Sequence, residues 1–411
     1  MTIGDELTCG RTADENARFI GEALYLKGLV VSRMVTVGDE LADIAAALKD
    51  LRADTRFVVV TGGLGPTEDD KTAAAAADRF GRKLVLNETA LARMEKLLAK
   101  AGRQVSAVNR KQAVLPEGCD TIANPVGTAS GFLMVSERKH YIFLPGVPGE
   151  VRAMTESFVL PYIEKNSRIK DVIATRTLKI FGLWESLLQE KLAGLFPEAG
   201  PISLAYYPGF PEISLKIIGR GKSREKVAVA LDRATNRVEG KIGDFVYSRN
   251  GEKIEAVLGR LLTERGKTVS VAESCTGGLI SHRLTNIAGS SSYFDRSVVV
   301  YSNRAKQGLL GVPAAVIRDH GAVSEPVARR MAEGVRRMSG THFGLAVTGI
   351  AGPGGGTAEK PVGTVCIAVA APEETTVKTH GFFFKDRERI KQMSAHMALD
   401  HLRRVILGIK Q

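Results

Sequence analysis

The sequence predicts an α/β protein made of a doubly wound N-terminal domain (1–168), a βαββαβ middle domain (169–250) and a second α/β domain (251–411). Three observations predict it. At 411 residues the chain exceeds what one hydrophobic core usually supports. Strand-length apolar runs alternate with helix-length amphipathic runs at both ends of the chain. Between them the order of strands and helices changes. Apolar residues at 44% and charged residues at 25% are ordinary globular values and do not indicate disorder.

In the first part the periodicity predicts a helix over 12–27, a strand over 29–34, a helix over 39–51 and a strand over 57–61. A glycine turn and a helix from 70 follow. The rhythm closes with a strand over 141–144, the turn Pro145-Gly146-Val147-Pro148-Gly149 and a helix over 150–165. This is the βαβ alternation of a doubly wound parallel sheet. The middle part reads strand 175–181, helix 185–195, strands 202–206 and 212–219, helix 223–240 and strand 245–247, the ferredoxin-like order. It offers no catalytic cluster and reads as a spacer or docking domain. The last part opens with a helix over 252–265 and a strand over 268–272. A helix entered through Ser274-Cys275-Thr276-Gly277-Gly278 comes next, then strands over 297–301, 344–347 and 363–369. It ends in a helix whose Ile390, Met393, Met397, Leu402, Val405 and Ile406 approximate one face.

No apolar stretch approaches the roughly 18 residues needed to cross a bilayer, and the first residues lack the basic-then-apolar order of a signal peptide. A cytoplasmic protein with no membrane partner is expected. The four cysteines (Cys9, Cys119, Cys275, Cys366) lie far apart, so neither a disulfide framework nor a structural zinc site is implied. The net charge is +12, and residues 251–411 carry 22 Lys and Arg against 14 Asp and Glu. Such a field favours anionic ligands. Its basic residues are interspersed with acids and only 6% of residues are aromatic, which argues against stable nucleic-acid binding and for a small phosphorylated substrate.

Two constellations carry chemistry. In the first, Val58-Val59-Val60-Thr61-Gly62-Gly63-Leu64-Gly65-Pro66-Thr67-Glu68-Asp69-Asp70-Lys71-Thr72 reads as a buried strand, a glycine turn and an acidic helix start. Glycines let backbone N–H groups approach a phosphate, and a helix N-terminus adds partial positive charge. The acids either hold a hard cation together with substrate phosphates or only complement the helix dipole.

The second constellation places Ser274 where a strand turns into a helix, a geometry that suits a nucleophile or a phosphate cradle. A serine nucleophile requires a base. His282 reads as a solvated helix residue, which leaves Lys306, carried by the loop after the apolar run Val298-Val299-Val300. To act at neutral pH that amine must titrate about 3 pH units below its ordinary value near 10.4, or roughly 4 kcal/mol in favour of the neutral form. Burial beside Arg304 or Arg387 would supply this; the alternative is an exposed, solvated lysine. The glycine-rich run from Thr348 to Thr357 offers backbone donors for a phosphate or oxyanion, or is a ligand-free connection.

The motif Thr61-Gly62-Gly63-Leu64-Gly65 with Asp70-Lys71-Thr72 resembles the T-G-G-x-G … D-x-T signature of molybdopterin-binding, molybdenum-cofactor-biosynthesis-like domains. Together with Ile3-Gly4-Asp5-Glu6-Leu7 and Leu144-Pro145-Gly146-Val147-Pro148-Gly149-Glu150, it resembles the N-terminal domain of the CinA (competence/damage-inducible) family. That resemblance implies an ADP-ribose pyrophosphatase dependent on a divalent metal such as Mg, releasing AMP and ribose 5-phosphate. Gly62, Gly63, Gly65 and Glu150 would then meet the substrate, and Asp5, Asp69 and Asp70 the metal. It also implies an apolar strand before Ile3, where only Met1 and Thr2 stand, so a clipped first strand is expected.

The C-terminal part resembles the family's nicotinamide-mononucleotide (NMN) deamidase domain. The matching segments are Ala272-Glu273-Ser274-Cys275-Thr276-Gly277-Gly278, Gly289-Ser290-Ser291, Tyr301-Ser302-Asn303 with Lys306, Gly321-Ala322-Val323-Ser324, Thr348-Gly349-Ile350-Ala351-Gly352-Pro353, Lys360-Pro361-Val362-Gly363-Thr364 and Asp386-Arg387. The resemblance implies conversion of NMN to nicotinate mononucleotide and ammonia without a cofactor. Ser274 would be the nucleophile and Lys306 the base, with Tyr301 and Thr348 orienting or polarising and Arg387 on the phosphate. Thr276, Gly277, Gly278, Ser291, Asn303, Gly349 and Gly352 would line the substrate. A homodimer is expected, and the whole chain would be a bifunctional hydrolase of pyridine-nucleotide recycling. The alternative is a nucleotide- or molybdopterin-binding protein linked to DNA uptake or damage, without turnover in its first domain.

Overall fold

The computed structural model describes residues 1–167, 172–198 and 200–409. It falls into two compact units, Met1–Ile173 with Arg220–Val227, and Ala174–Gly219 with Ala228–Gln411. Most of the predicted middle domain therefore shares a unit with the last part. The reason is a common core: Phe181 and Tyr247 belong to the same buried cluster as Leu258, Val271 and Leu399.

The first unit is α/β. Its strands are β1 (Thr2–Ile3), β2 (Thr36–Val37), β3 (Phe57–Thr61), β4 (Leu84–Leu86), β5 (Val114–Pro116), β6 (Asp120–Ile122), β7 (Gly131–Ser136) and β8 (Lys139–Leu144). Six of them form one sheet in the order β2-β1-β3-β8-β7-β6, and β4 pairs with β5. The pairs among β2, β1, β3 and β8 are parallel, and β8, β7 and β6 pair antiparallel. Both faces are covered, as a doubly wound sheet requires. Val58, Val60 and Phe143 pack with Ile44, Leu48, Ala75 and Ala76 of helices, while Ile142 and Leu144 pack with Ile20, Leu24, Val151 and Met154.

The predicted strand over 29–34 does not form; pairing there is limited to Thr36–Val37. Its neighbour β1 is only two residues long and offers almost no ladder, so Val30 and Met34 are left exposed. A cleft of about 890 Å³ opens there, lined among others by Ile20, Leu24, Val31, Met34 and Val58. The α-amine of Met1 lies beside it, donating to the Val59 carbonyl at 2.8 Å, and burial lowers its pKa to about 6.

In the second unit β9 (Val172–Ile180), β10 (Ile202–Pro208), β11 (Ile213–Gly221) and β12 (Val246–Ser248) form a sheet in the order β10-β11-β9-β12. With the helices Glu185–Leu192 and Arg224–Ile242 this is the predicted βαββαβ arrangement. The last sheet holds β13 (Val269–Glu273), β14 (Phe294–Val299), β15 (Phe343–Gly349), β16 (Thr364–Ala370) and β17 (Thr375–Gly381), in the order β14-β13-β15-β16-β17. β13 is parallel to β14 and β15, and the remaining pairs are antiparallel. Helices Ile254–Glu264 and Arg387–Leu407 cover one face and Glu325–Ser339 the other. Among the described residues no helix is long and apolar enough to cross a membrane.

Candidate active site

β13 is an interior strand of the last sheet, between β14 and β15, and is buried at every position. Its final residue, Glu273, is fully buried with no cationic partner among the described residues. The carboxylate instead accepts the N–H groups of Gly278 (2.9 Å), Ile280 (3.1 Å) and Ser281 (2.9 Å) and the Ser281 hydroxyl. This satisfies the orphan donors at the start of the helix Leu279–Thr285 and closes residues 274–278 into a loop. Gly277 and Gly278 both take left-handed φ values, +62° and +99°, which side-chain-bearing residues rarely adopt.

The Ser274 N–H donates to the Val347 carbonyl at 3.0 Å, which fixes the serine at the end of β15 as well as β13. The next two backbone donors, of Cys275 and Thr276, have no partner among the described residues. The Thr276 hydroxyl is also buried and unpartnered.

Lys306 comes from the neighbouring strand. β14 pairs with β13 up to Val299 opposite Glu273, the Val300 N–H donates to Glu273, and Ser302 caps the helix Asn303–Leu310 through the Ala305 N–H. One turn inside that helix, Lys306 is 1% exposed. Its Nζ lies 3.0 Å from Ser274 Oγ, 2.8 Å from the Val300 carbonyl and 3.3 Å from the Tyr301 carbonyl. Burial pushes its pKa below the ordinary lysine range. In the neutral amine, the two N–H bonds satisfy the two carbonyls and the lone pair faces the Ser274 hydroxyl. Burial pushes the adjacent Cys275 thiol up to about 12, so it is not a thiolate nucleophile.

Around this pair Arg387 donates to the Gly352 carbonyl (2.6 Å) and to the Tyr301 hydroxyl (2.9 Å), tying the glycine-rich loop to the end of β14. Thr348 donates to the Ala322 carbonyl at 2.9 Å. Gly349 lies against Cys275, since a Cβ there would stand 3.1 Å from its Sγ. Asn303 is exposed at the start of the Lys306 helix. Ser291 is not brought here. It precedes β14, whose first residue Phe294 pairs with Val269 at the opposite end of β13 from Ser274. The reason is topological: the segment 289–291 enters a parallel strand, whereas the site collects residues leaving such strands. His282 bonds Asn286 on its own helix and takes no part. Sequence reasoning missed Glu273 as the loop's clamp. Its signal was an acid six residues ahead of a helix start that has no side-chain cap of its own.

In the first unit, Thr61 and Gly62 line a pocket of about 240 Å³ with Glu6, Asp14, Asn16, Gly146 and Pro148. Asn16 donates to the Gly146 carbonyl at 2.7 Å, a link the sequence did not reveal. Gly63 contacts Thr72, and its φ of +66° with no room for a Cβ explains the glycine. Asp70 does not face the pocket: its carboxylate accepts the N–H (2.8 Å) and hydroxyl (2.7 Å) of Thr67 and lies against Gly65. Asp5 and Asp39 hold each other through reciprocal backbone bonds, Asp5 N–H to Asp39 at 2.9 Å and Asp39 N–H to Asp5 at 3.0 Å. Burial, with repulsion from Asp5, Glu6 and Asp69, raises the Asp39 carboxyl. Glu150 accepts from Asn124 (2.7 Å), and burial raises its carboxyl as well. Among the described residues no three metal-ligating side chains converge, so Asp5, Asp69 and Asp70 do not form a ready cage for a divalent ion.

Three family models match the chain: a probable molybdopterin binding domain over residues 1–165, the damage-inducible protein CinA KH domain over 175–248, and the CinA C-terminal domain over 251–406. A CinA-like protein of Geotalea uraniireducens (strain Rf4) is 44% identical over 410 residues, spanning 100% of this chain and 97% of its own. A CinA-like protein of Geobacter sulfurreducens (strain ATCC 51573 / DSM 12127 / PCA) is 43% identical over 407 residues, spanning 99% and 98%. The crystal structure of a competence/damage inducible protein CihA from Agrobacterium tumefaciens is 42% identical, covering 40% of this chain and 99% of that one, with a TM-score of 0.36.

Proposed function

Given that the chain belongs to the CinA family, we propose that its C-terminal part is an amidohydrolase that converts NMN to nicotinate mononucleotide and ammonia, with Ser274 as nucleophile and Lys306 as base. The observation that carries this reading is the 3.0 Å approach of a buried, carboxylate-free lysine to a serine at a strand end. The neutral Lys306 amine takes the Ser274 proton as Oγ adds to the amide carbon. The oxyanion that forms is received by the free N–H groups of Cys275 and Thr276, a pair of preorganised donors beside the nucleophile. Lys306, now an ammonium, returns the proton to the departing nitrogen, the C–N bond breaks and ammonia leaves. Water then adds to the acyl-serine carbon and gives its proton to Lys306. Collapse releases the carboxylate and restores the serine.

Ammonia release from NMN by the purified chain, with Ser274→Ala and Lys306→Ala beside it, tests this. Each substitution is expected to lower kcat by at least about a thousandfold, since residues of one nucleophile–base unit fail together. Undiminished release in both variants removes the proposed pair.

For the first unit we propose binding of a phosphate-bearing nucleotide such as ADP-ribose at the Thr61–Gly62 pocket, with pyrophosphate cleavage aided by a divalent metal. Its support is the glycine turn set against Asn16 and Gly146, together with the mutual repulsion of Asp5, Glu6, Asp39 and Asp69, which a cation brought in with the substrate would relieve although no three of these side chains converge on a ready cage. AMP formation from ADP-ribose that survives both chelation and Asp39→Asn overturns the metal part of this reading.

A further inference from the structure

Lys391 has no part in the chemistry above, yet its position is unusual. It follows Arg387 by one turn on the helix Arg387–Leu407, so both side chains leave the same face. The beginning of that helix holds Arg387, Arg389 and Lys391 against Glu388 and the capping Asp386, whose carboxylate accepts the Arg389 N–H. Cations are disfavoured there, because the helix N-terminus carries partial positive charge, and two like charges four residues apart repel.

Arg389 has a structural explanation: its guanidinium lies over the rings of Phe210 and Phe384, 4.4 and 5.3 Å from their centroids. Arg387 and Lys391 have no carboxylate partner among the described residues. The acid that neutralises cations on this helix is Asp400, which pairs with Arg403 and Arg404 near its other end.

Lys391 also reaches the nucleophile's loop. Its Nζ stands 3.8 Å from the point a Cβ on Gly277 would occupy, three residues after Ser274. The carboxylate of that loop, Glu273, is fully buried and already committed to Gly278, Ile280 and Ser281, so it does not neutralise the lysine. The result is a pair of cations bracketing the site, one held by Gly352 and Tyr301 and the other over Gly277.

We propose that Lys391 adds a second cation to the phosphate-monoester contact that the family resemblance assigns to Arg387, and that Lys391 makes the site select nucleotides over nucleosides. The identity of the reaction rests on the deamidase reading, but phosphate binding does not.

The test uses the full chain with Lys391→Gln and Lys391→Arg. Ammonia release is measured with NMN and with the nucleoside that lacks its phosphate, and inorganic phosphate is titrated into each protein by calorimetry. For Lys391→Gln, KM for NMN is expected to rise about tenfold, the worth of one charge-assisted contact, with most of kcat retained. The preference for nucleotide over nucleoside should fall by the same factor, phosphate binding should weaken in parallel, and Lys391→Arg should restore both. An unchanged preference together with unchanged phosphate affinity in Lys391→Gln overturns the subsite. Should the parent protein release ammonia from neither compound, the deamidase reading fails. The phosphate titration still decides the subsite: weaker binding in Lys391→Gln supports it and equal binding overturns it.

Discussion

The carboxylate of Glu273 accepts the backbone N–H of Ser281 at 2.9 Å, so the residue before Ser274 is tied to the helix that follows it. Glu273→Gln keeps the shape but turns an amide toward N–H donors. It is expected to cost about 2 kcal/mol of stability, because a buried acceptor to several donors is lost. The same change should lower kcat more than it raises KM. Chemical denaturation and ammonia-release kinetics on one preparation check both.

Lys306 titrates below the ordinary lysine range because burial disfavours its charge. The proposed deamidation requires the neutral amine, so the rate should rise with pH through an acid-side inflection below the ordinary lysine range, and Ser274→Cys should keep the lysine's part of that profile. Stability has the same sign. Between the lowered folded value and the unfolded one, the unfolded chain binds the extra proton, so folding gains as pH increases. The stability of the parent relative to Lys306→Met should therefore climb with pH across that window.

His401 is buried. Thr376 Oγ1 lies 2.9 Å from its Nε2, and burial, with the nearby cationic Lys378, lowers its pKa from 6.5 to about 3. The folded protein holds it neutral while the unfolded chain takes up a proton below 6.5. Stability from this group is complete above 6.5 and drains away as pH falls toward 3. His401→Gln should flatten that acid limb, as read by unfolding midpoints from pH 7 to 4.

Two glycines separate crowding from backbone strain. A Cβ on Gly344 in β15 would stand 2.2 Å from the Ala332 carbonyl oxygen, whereas Gly340 has open space but a φ of +65°. Gly344→Ala is expected to cost about 3 kcal/mol through displacement of the helix Glu325–Ser339. Gly340→Ala should cost about 1 kcal/mol through its left-handed backbone alone. Denaturant midpoints distinguish the two.

The alternation of apolar and amphipathic runs made the α/β class and the βαββαβ order legible, because both follow from local periodicity. Much of the dyad was legible too: a serine at a strand-to-helix turn and a lysine just past the next strand point to one sheet edge. Other features depended on long-range packing. The strand over 29–34 failed because the two-residue β1 offers a ladder only to Thr36 and Val37, which no property of Val30 or Met34 reveals. Helices Asn303–Leu310, Ala314–His320 and Glu325–Ser339 went unread among glycines and arginines, although Pro326 and the spacing of Val327, Met331 and Val335 carried a signal. The partners of Glu273, Asp70 and Lys391 are set by the folded chain, so composition and spacing could not show them.

Both members of the dyad hang from neighbouring positions of one parallel ladder, where Glu273 stands opposite Val299. The intervening excursion from Ile287 to Gly289 lies at the far end of that ladder. A circular permutant opened at Ala288 would carry the two groups on opposite halves of its chain, yet sheet pairing would still bring them together. The site thus lends itself to reassembly from split fragments, with ammonia release reporting on whether the halves have met.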